Sequence, residues 1–126
     1  MPGTEPANIE LTVVIPSYNG RGLLGECLPA VHRAIERAGC GDRAEIIVVD
    51  DASTDDTVDW LGSQWPNVRV LTNPTNRGFA ATANVGLAGA NGAWVALLNN
   101  DVVVEPEWLS EAMTHWQTPR VAAVAS

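Results

Sequence analysis

Short apolar runs that stop abruptly at polar residues, each followed by a stretch with helical spacing, recur along the whole chain. Leu11 to Ile15 is the first run, stopped by Pro16. A continuous run of that length fits a strand covered on both faces, since alternation is required only where one face meets water. From Gly20 to Ala38 the apolar residues Leu23, Leu24, Cys27, Leu28, Val31, Ile35 and Ala38 keep helical spacing. Pro29 within them should kink that helix or set its true start. The unit then repeats. Glu45 to Val49 reads as a second strand ending at Asp50 and Asp51, and Ser53 to Asp56 carries N-cap chemistry for a helix through Trp65. Val68 to Leu71 is a third strand, Phe79 to Ala90 a helix of small residues stopped by Asn91 and Gly92, and Ala93 to Leu98 a fourth strand. Pro106 suits the first turn of a helix to about Gln117, and Val121 to Ala125 opens a fifth strand, just before the last residue, Ser126. Strict alternation of strand and helix implies an α/β fold. Its sheet is open and mostly parallel, of Rossmann-like type, with helices on its flanks and right-handed crossovers.

Composition narrows the partners. The 126 residues carry 15 acids against 7 bases, a net charge of −8, and every base is Arg. A chain so acidic, with no basic run, is a poor match for a nucleic-acid backbone, so no nucleic-acid partner is expected. The absence of Lys excludes a P-loop, and no Gly-x-Gly-x-x-Gly occurs. No apolar run is long enough to span a bilayer, and the first residues lack the basic end and apolar stretch of a signal peptide. Residues 1–9, broken by Pro2, Gly3 and Pro6, read as a mobile leader ahead of one domain over residues 10–126. Cys27 and Cys40 form no metal-type pair and read as packing in a reducing, cytoplasmic protein.

In open parallel sheets ligands bind beyond the carboxyl ends of the strands. Those ends carry Pro16, Ser17, Tyr18 and Asn19, then Asp50 and Asp51, then Asn73 to Gly78, then Asn99, Asn100 and Asp101. Carboxylates at 50, 51 and 101 gathered on one edge would repel unless a cation or ligand donors joined them, and Arg77 is the nearest base. Oxygen donors of this kind suit Mg²⁺ or Mn²⁺, whose shell a substrate diphosphate normally completes. Each residue also has a plainer reading: Asp50 as a cap on its own loop, Asp51 as part of a turn, Asn99 to Asp101 as a polar turn. Asp55, Asp56 and Asp59 read as a helix start, His32 and His115 as surface residues, and the five Trp residues as core and edge packing.

Taken together, Val13 to Asn19, Ile46 to Asp55, Asn76 to Ala80, Ala83 to Gly86, Leu97 to Val102 and Pro106 to Leu109 resemble the inverting nucleotide-sugar glycosyltransferases of family 2. Order and spacing agree over about residues 10–126. The resemblance implies the GT-A variant of the α/β fold, cut at its C-terminal side so that the acceptor half is missing. It implies a transferase, hexosyl- or rhamnosyl-like, that moves a sugar from a UDP, dTDP or GDP donor to a hydroxyl acceptor in cell-surface polysaccharide or glycolipid synthesis. Pro16 to Asn19 would line the base and ribose, Asp51 would hydrogen-bond the base, and Asp50 would shape that loop. Arg77 would sit near the base or diphosphate, and Gly78 would let its loop approach. Asn99, Asn100 and Asp101 stand where the family has Asp-x-Asp, with Asp101 as the metal ligand and the two asparagines facing ribose or sugar. The first position departs from the pattern, because Asn99 brings no charge.

The resemblance places the general base downstream of Ser126, so no catalytic residue is assigned in this chain. Glu105, Glu107 and Glu111 read as a helix start rather than as that base. On this reading the fragment is inactive alone, the parent enzyme is cytoplasmic or peripheral at the inner membrane face, and the edge strand at Val121 to Ala125 invites homodimers. A non-catalytic nucleotide-binding or receiver-like α/β domain is the alternative. A receiver would want a Lys, and a phosphatase an Asp after the first strand, where Pro16 and Ser17 stand.

Overall fold

The computed structural model describes residues 8–114 and 121–125, with side chains through Thr114. Most of the leader, His115, Trp116, the expected end of the last helix and Ser126 lie outside the described residues. The expectation of a general base beyond Ser126 therefore falls outside them as well. Among the described residues nine elements alternate: β1 (Leu11–Ser17), α1 (Arg21–Arg37), β2 (Ala44–Asp50), α2 (Thr57–Gln64), β3 (Arg69–Thr72), α3 (Phe79–Gly89), β4 (Trp94–Leu98), α4 (Trp108–Met113) and β5 (Val121–Ala125). The five strands form one parallel sheet in the order β3-β2-β1-β4-β5. Order reverses at β1, so the crevice between the ends of β1 and β4 is the topological switch point.

Alternation along the strands sorts the core into two layers. Val13, Ile15, Ile46 and Val48 face α1, α2 and α4, packing with Leu24, Cys27, Leu28, Val31, Leu61 and Leu109. Val14, Ile47 and Val49 face the other way, against Val85 and Leu87 of α3. Central strands covered on both faces need no polar positions, which is why β1 is buried at every residue. Gly86 sets how closely α3 can lie. A side chain there would meet Val14 Cγ1 at 2.3 Å and Val49 Cγ2 at 3.0 Å.

Several boundaries differ from expectation. Pro16 does not stop β1, which pairs with β2 as far as Ser17 opposite Asp50. Glu10 accepts the Trp94 N–H through its carbonyl, so by alternation Pro16 turns its missing N–H toward β4, beyond the last paired position, Val14. Pro29 neither starts nor ends α1 but lies inside it. Leu23, expected on the apolar face, is 46% exposed while its neighbour Leu24 is buried. The helix expected from Ser53 begins only at Thr57, and its N-cap Asp56 makes no capping bond. Asp55 accepts the Thr57 N–H instead, at 3.0 Å.

Asn91 and Gly92 do not end α3 through a left-handed turn, since the cap at Ala90 is extended. Gly92 is there for space: a Cβ would lie 2.6 Å from Thr12 N and 2.8 Å from the Trp94 carbonyl oxygen. This end of the sheet is tied by Glu45, which accepts from Thr12 Oγ1 at 2.7 Å, Asn91 N at 2.8 Å and Arg69 Nη1 at 3.0 Å. Among the described residues no helix is long and apolar enough to cross a membrane.

Candidate functional site

At the opposite end of the sheet a cleft of about 450 Å³ opens at the switch point. Its walls are Pro16, Ser17 and Tyr18 from the end of β1, Leu23 from α1, and Asp51 from the end of β2. Asn76, Gly78, Phe79 and Thr82 around the start of α3 follow, with Asn99, Asn100 and Asp101 after β4. Four segments far apart in sequence thus meet, and eight of the eleven residues singled out above line the cleft. Asn19, Asp50 and Arg77 do not.

Each of these three supports the cleft from outside it. Asn19, in a left-handed conformation at φ 49°, donates its backbone N–H to Ser53 Oγ. Its Oδ1 accepts the N–H groups of Thr54 and Asp55, so it fastens the loop after β1 to the loop after β2. Asp50 is buried beneath that second loop and accepts the Ser53 N–H at 2.9 Å and its hydroxyl at 2.5 Å. It is the loop cap, the plainer of its two readings. Arg77 contributes its backbone to the support of the cleft. Its N–H reaches Asp51, and among the described residues its guanidinium makes no ion pair.

Asp51 is the buried anchor. Its N–H donates to the Ser17 carbonyl at 2.8 Å, continuing the β1–β2 ladder by one rung. Its Oδ1 accepts from Asn73 Nδ2 and Arg77 N, both at 2.8 Å, and its Oδ2 accepts from Gly78 N at 2.9 Å. Burial alone would push this carboxyl up. The Asn73 amide, the two backbone N–H groups and the Thr82 hydroxyl outweigh that and hold it below the ordinary aspartate value. Gly78 owes its identity to its conformation, φ 90°, with no atom near enough to restrict a side chain. That conformation turns its N–H and that of Arg77 toward one carboxylate.

The predicted repulsion of three carboxylates is therefore mostly settled inside the protein. Asp50 and Asp51 are satisfied by hydroxyl, amide and backbone donors. Asp101 alone, in the turn after β4, has no hydrogen-bond or ion-pair partner among the described residues and is exposed. Burial first, and then the Asp101 charge, push the Cys27 thiol up to about 11. No group of three His, Cys, Asp or Glu side chains that could cage a metal occurs among the described residues. One carboxylate with neighbouring asparagine oxygens matches the donor chemistry of Mg²⁺ or Mn²⁺ completed by a diphosphate, and not that of an all-protein site.

Leu23, Phe79 and Thr82 were missed by reading strand ends, because each sits in the first turns of a helix. Tyr18, Leu23 and Phe79 are about half exposed, which gives the cleft an apolar rim over a polar floor. A ligand with a flat or apolar part and several polar groups fits such a cleft.

A family model described as Glycosyl transferase family 2 matches residues 12–126. The chain belongs to glycosyltransferase family 2. Curated relatives of this family 2 chain include the pre-mycofactocin glycosyltransferase of Mycobacterium tuberculosis H37Rv, 32% identical over 98% of the chain and 24% of that protein. Another is the succinoglycan biosynthesis protein ExoO of Rhizobium meliloti, 32% identical over 79% of the chain and 28% of that protein. The chain thus spans about a quarter of the length of these relatives. Among solved structures, S. aureus TarS 1-349 in complex with UDP-GlcNAc superposes with a TM-score of 0.71 at 27% identity, over 84% of this chain and 30% of that one. A mannosyltransferase from Pyrobaculum calidifontis in complex with GDP-Man and Mn²⁺ gives 0.70 at 25% identity, over 87% and 35%. The α/β fold is accordingly of the GT-A type.

Proposed function

We propose that this chain is the nucleotide-sugar-binding part of an inverting, metal-assisted transferase that moves a sugar from a nucleoside diphosphate to a hydroxyl acceptor. One observation carries the reading. The switch-point cleft brings a satisfied buried carboxylate, Asp51, and a partnerless exposed one, Asp101, onto the walls of one cavity. Neighbours solved with UDP-GlcNAc and with GDP-Man and Mn²⁺ support it.

In this reading the residues divide the donor between them. Pro16, Ser17 and Tyr18 form the wall for base and ribose, with the Asp51 carboxylate as the acceptor for a base N–H. Asn99 and Asn100 face the ribose or sugar side, and Asp101, with Asn99, would hold Mg²⁺ or Mn²⁺. A bound divalent ion supplies neutralisation of the charge that develops on the diphosphate leaving group. Arg77 and Asp50 act from behind, through a backbone N–H and a loop cap. Deprotonation of the acceptor hydroxyl needs a base that we place downstream of Ser126, so the chain alone should bind donor and transfer little. ExoO, named for succinoglycan biosynthesis, supports a cell-surface polysaccharide as the product.

Calorimetric titration with UDP, GDP and dTDP, with and without Mn²⁺, tests this on the native chain and on Asp101→Ala. Binding of one nucleotide that requires Mn²⁺ and weakens at least tenfold in the variant is expected. Equal binding with and without the ion, or an unaffected variant, would remove Asp101 from the metal role.

A further inference from the structure

Gly20 precedes α1 and occupies its N-cap position, where Ser, Thr, Asp or Asn would ordinarily stabilise the helix by accepting an exposed N–H. Here the residue makes no capping bond. Its backbone gives no reason for glycine either, since φ −107° and ψ 22° are open to any residue. Space gives the reason. A Cβ on residue 20 would lie 2.3 Å from Ser17 Oγ and 2.4 Å from Asn100 Nδ2. Those two atoms are the partners of one hydrogen bond, Asn100 Nδ2 to Ser17 Oγ at 2.9 Å.

That bond matters for the turn after β4. Among the described residues it is the sole side-chain hydrogen bond made by Asn99, Asn100 or Asp101, supplemented by a backbone bond from Val102 N to the Asn99 carbonyl at 3.2 Å. The β1–β4 ladder ends at Val14 opposite Leu97, so no backbone pairing between the two strands reaches the turn. Ser17 is itself buried and fixed by its place in β1. The latch from Ser17 to Asn100 therefore ties the exposed Asp101 turn to the rigid centre of the sheet, and it exists only while residue 20 has no side chain.

We infer that Gly20 is a positioning residue: by leaving room for the Ser17–Asn100 hydrogen bond, it holds the Asn99 to Asp101 turn in the geometry that faces a nucleoside diphosphate and its divalent ion. The inference rests on the proposed role of Asp101 and adds a residue to it. Gly20 touches no ligand. It acts through Asn100, by setting the fraction of molecules whose turn is ready to bind. Both atoms that a Cβ would displace are ends of polar side chains, not backbone. Gly20→Ala should consequently break the latch and spare the fold.

The test uses the native chain, Gly20→Ala, Ser17→Ala and the double variant. Three readouts are thermal unfolding, the NMR side-chain amide signals and relaxation of Asn100, and calorimetric affinity for UDP, GDP and dTDP with Mn²⁺. Gly20→Ala should melt close to the native chain, shift the Asn100 amide signals, and increase motion at residues 99–101. It should weaken the nucleotide that the native chain binds by roughly fivefold, the scale of one lost hydrogen bond. Ser17→Ala should shift the Asn100 signals in the same way, and the double variant should move them no further than either single one, because all three remove one hydrogen bond. Unchanged Asn100 signals in Gly20→Ala, or additive shifts of those signals in the double variant, would overturn the inference. A native chain that binds none of the three nucleotides would overturn the reading of the cleft, while the Asn100 signals would still decide for or against the latch.

Discussion

At the residue scale the adjacent pair Asp50 and Asp51 shows how unlike two neighbouring carboxylates become. Successive strand residues point to opposite faces, so one turns under its own loop and the other toward the start of α3. Asp51→Ala leaves the N–H groups of Arg77 and Gly78 and the Asn73 amide without their acceptor. We expect a loss of about 2–3 kcal/mol in urea unfolding. The pH dependence follows from the lowered carboxyl. A group depressed in the folded state contributes stability that is complete above its unfolded value, near pH ~4. The contribution fades as pH falls through the lower folded value, where the unfolded chain takes up the proton first. Asp51→Asn should flatten that acid limb, and an unchanged limb would show that other carboxylates, Asp55 among them, set it. Strand-end position made the pair legible in the sequence, but the division of labour was not, because for Asp51 it depends on donors more than 20 residues away. Arg77 illustrates the same limit. Its charge stands out in the sequence, whereas the bond to Asp51 is made by its backbone N–H, which nearly every residue type supplies.

At the element scale, strand and helix order was readable because each apolar run is short and each helical stretch keeps its period. Ends were less so. Pro16 reads as a stop in isolation, and only the early end of the β4 ladder leaves space for a residue without an N–H. The start of α2 lies later than its capping residues suggest because Ser53 and Thr54 are engaged by Asp50 and Asn19 instead. Two substitutions separate stability from binding at this scale. Gly86→Ala would drive a methyl into Val14 in the middle of the sheet. About 1–3 kcal/mol should be lost in chemical denaturation. Because α3 also carries Phe79 and Thr82, nucleotide affinity should fall with it. Glu45→Gln, at the far end of the sheet, weakens the ties to Arg69 and Asn91 and should destabilise by about 1 kcal/mol while leaving nucleotide affinity unchanged. Affinity that tracked stability in both variants would mean that the cleft has no local architecture of its own.

At the scale of the whole molecule the strand order assigns the two walls of the cleft to different sides of β1. Residues 16–82 build one wall from β1, β2 and α3, and the turn at 99–101 builds the other from β4. The outermost strand, β5, pairs with β4 alone, so its outer edge offers unpaired backbone groups within the described sheet. We expect weak self-association that grows with concentration, visible by sedimentation velocity, and a purely monomeric profile would argue that this edge is covered. The ladders on either side of β1 are unequal: seven paired positions join it to β2, and four join it to β4. In mechanical terms the β1–β4 boundary is a seam. It runs through the middle of the sheet below the cleft, and a nucleotide lying across the cleft would act as an added rivet, raising the force needed to part that seam and no other.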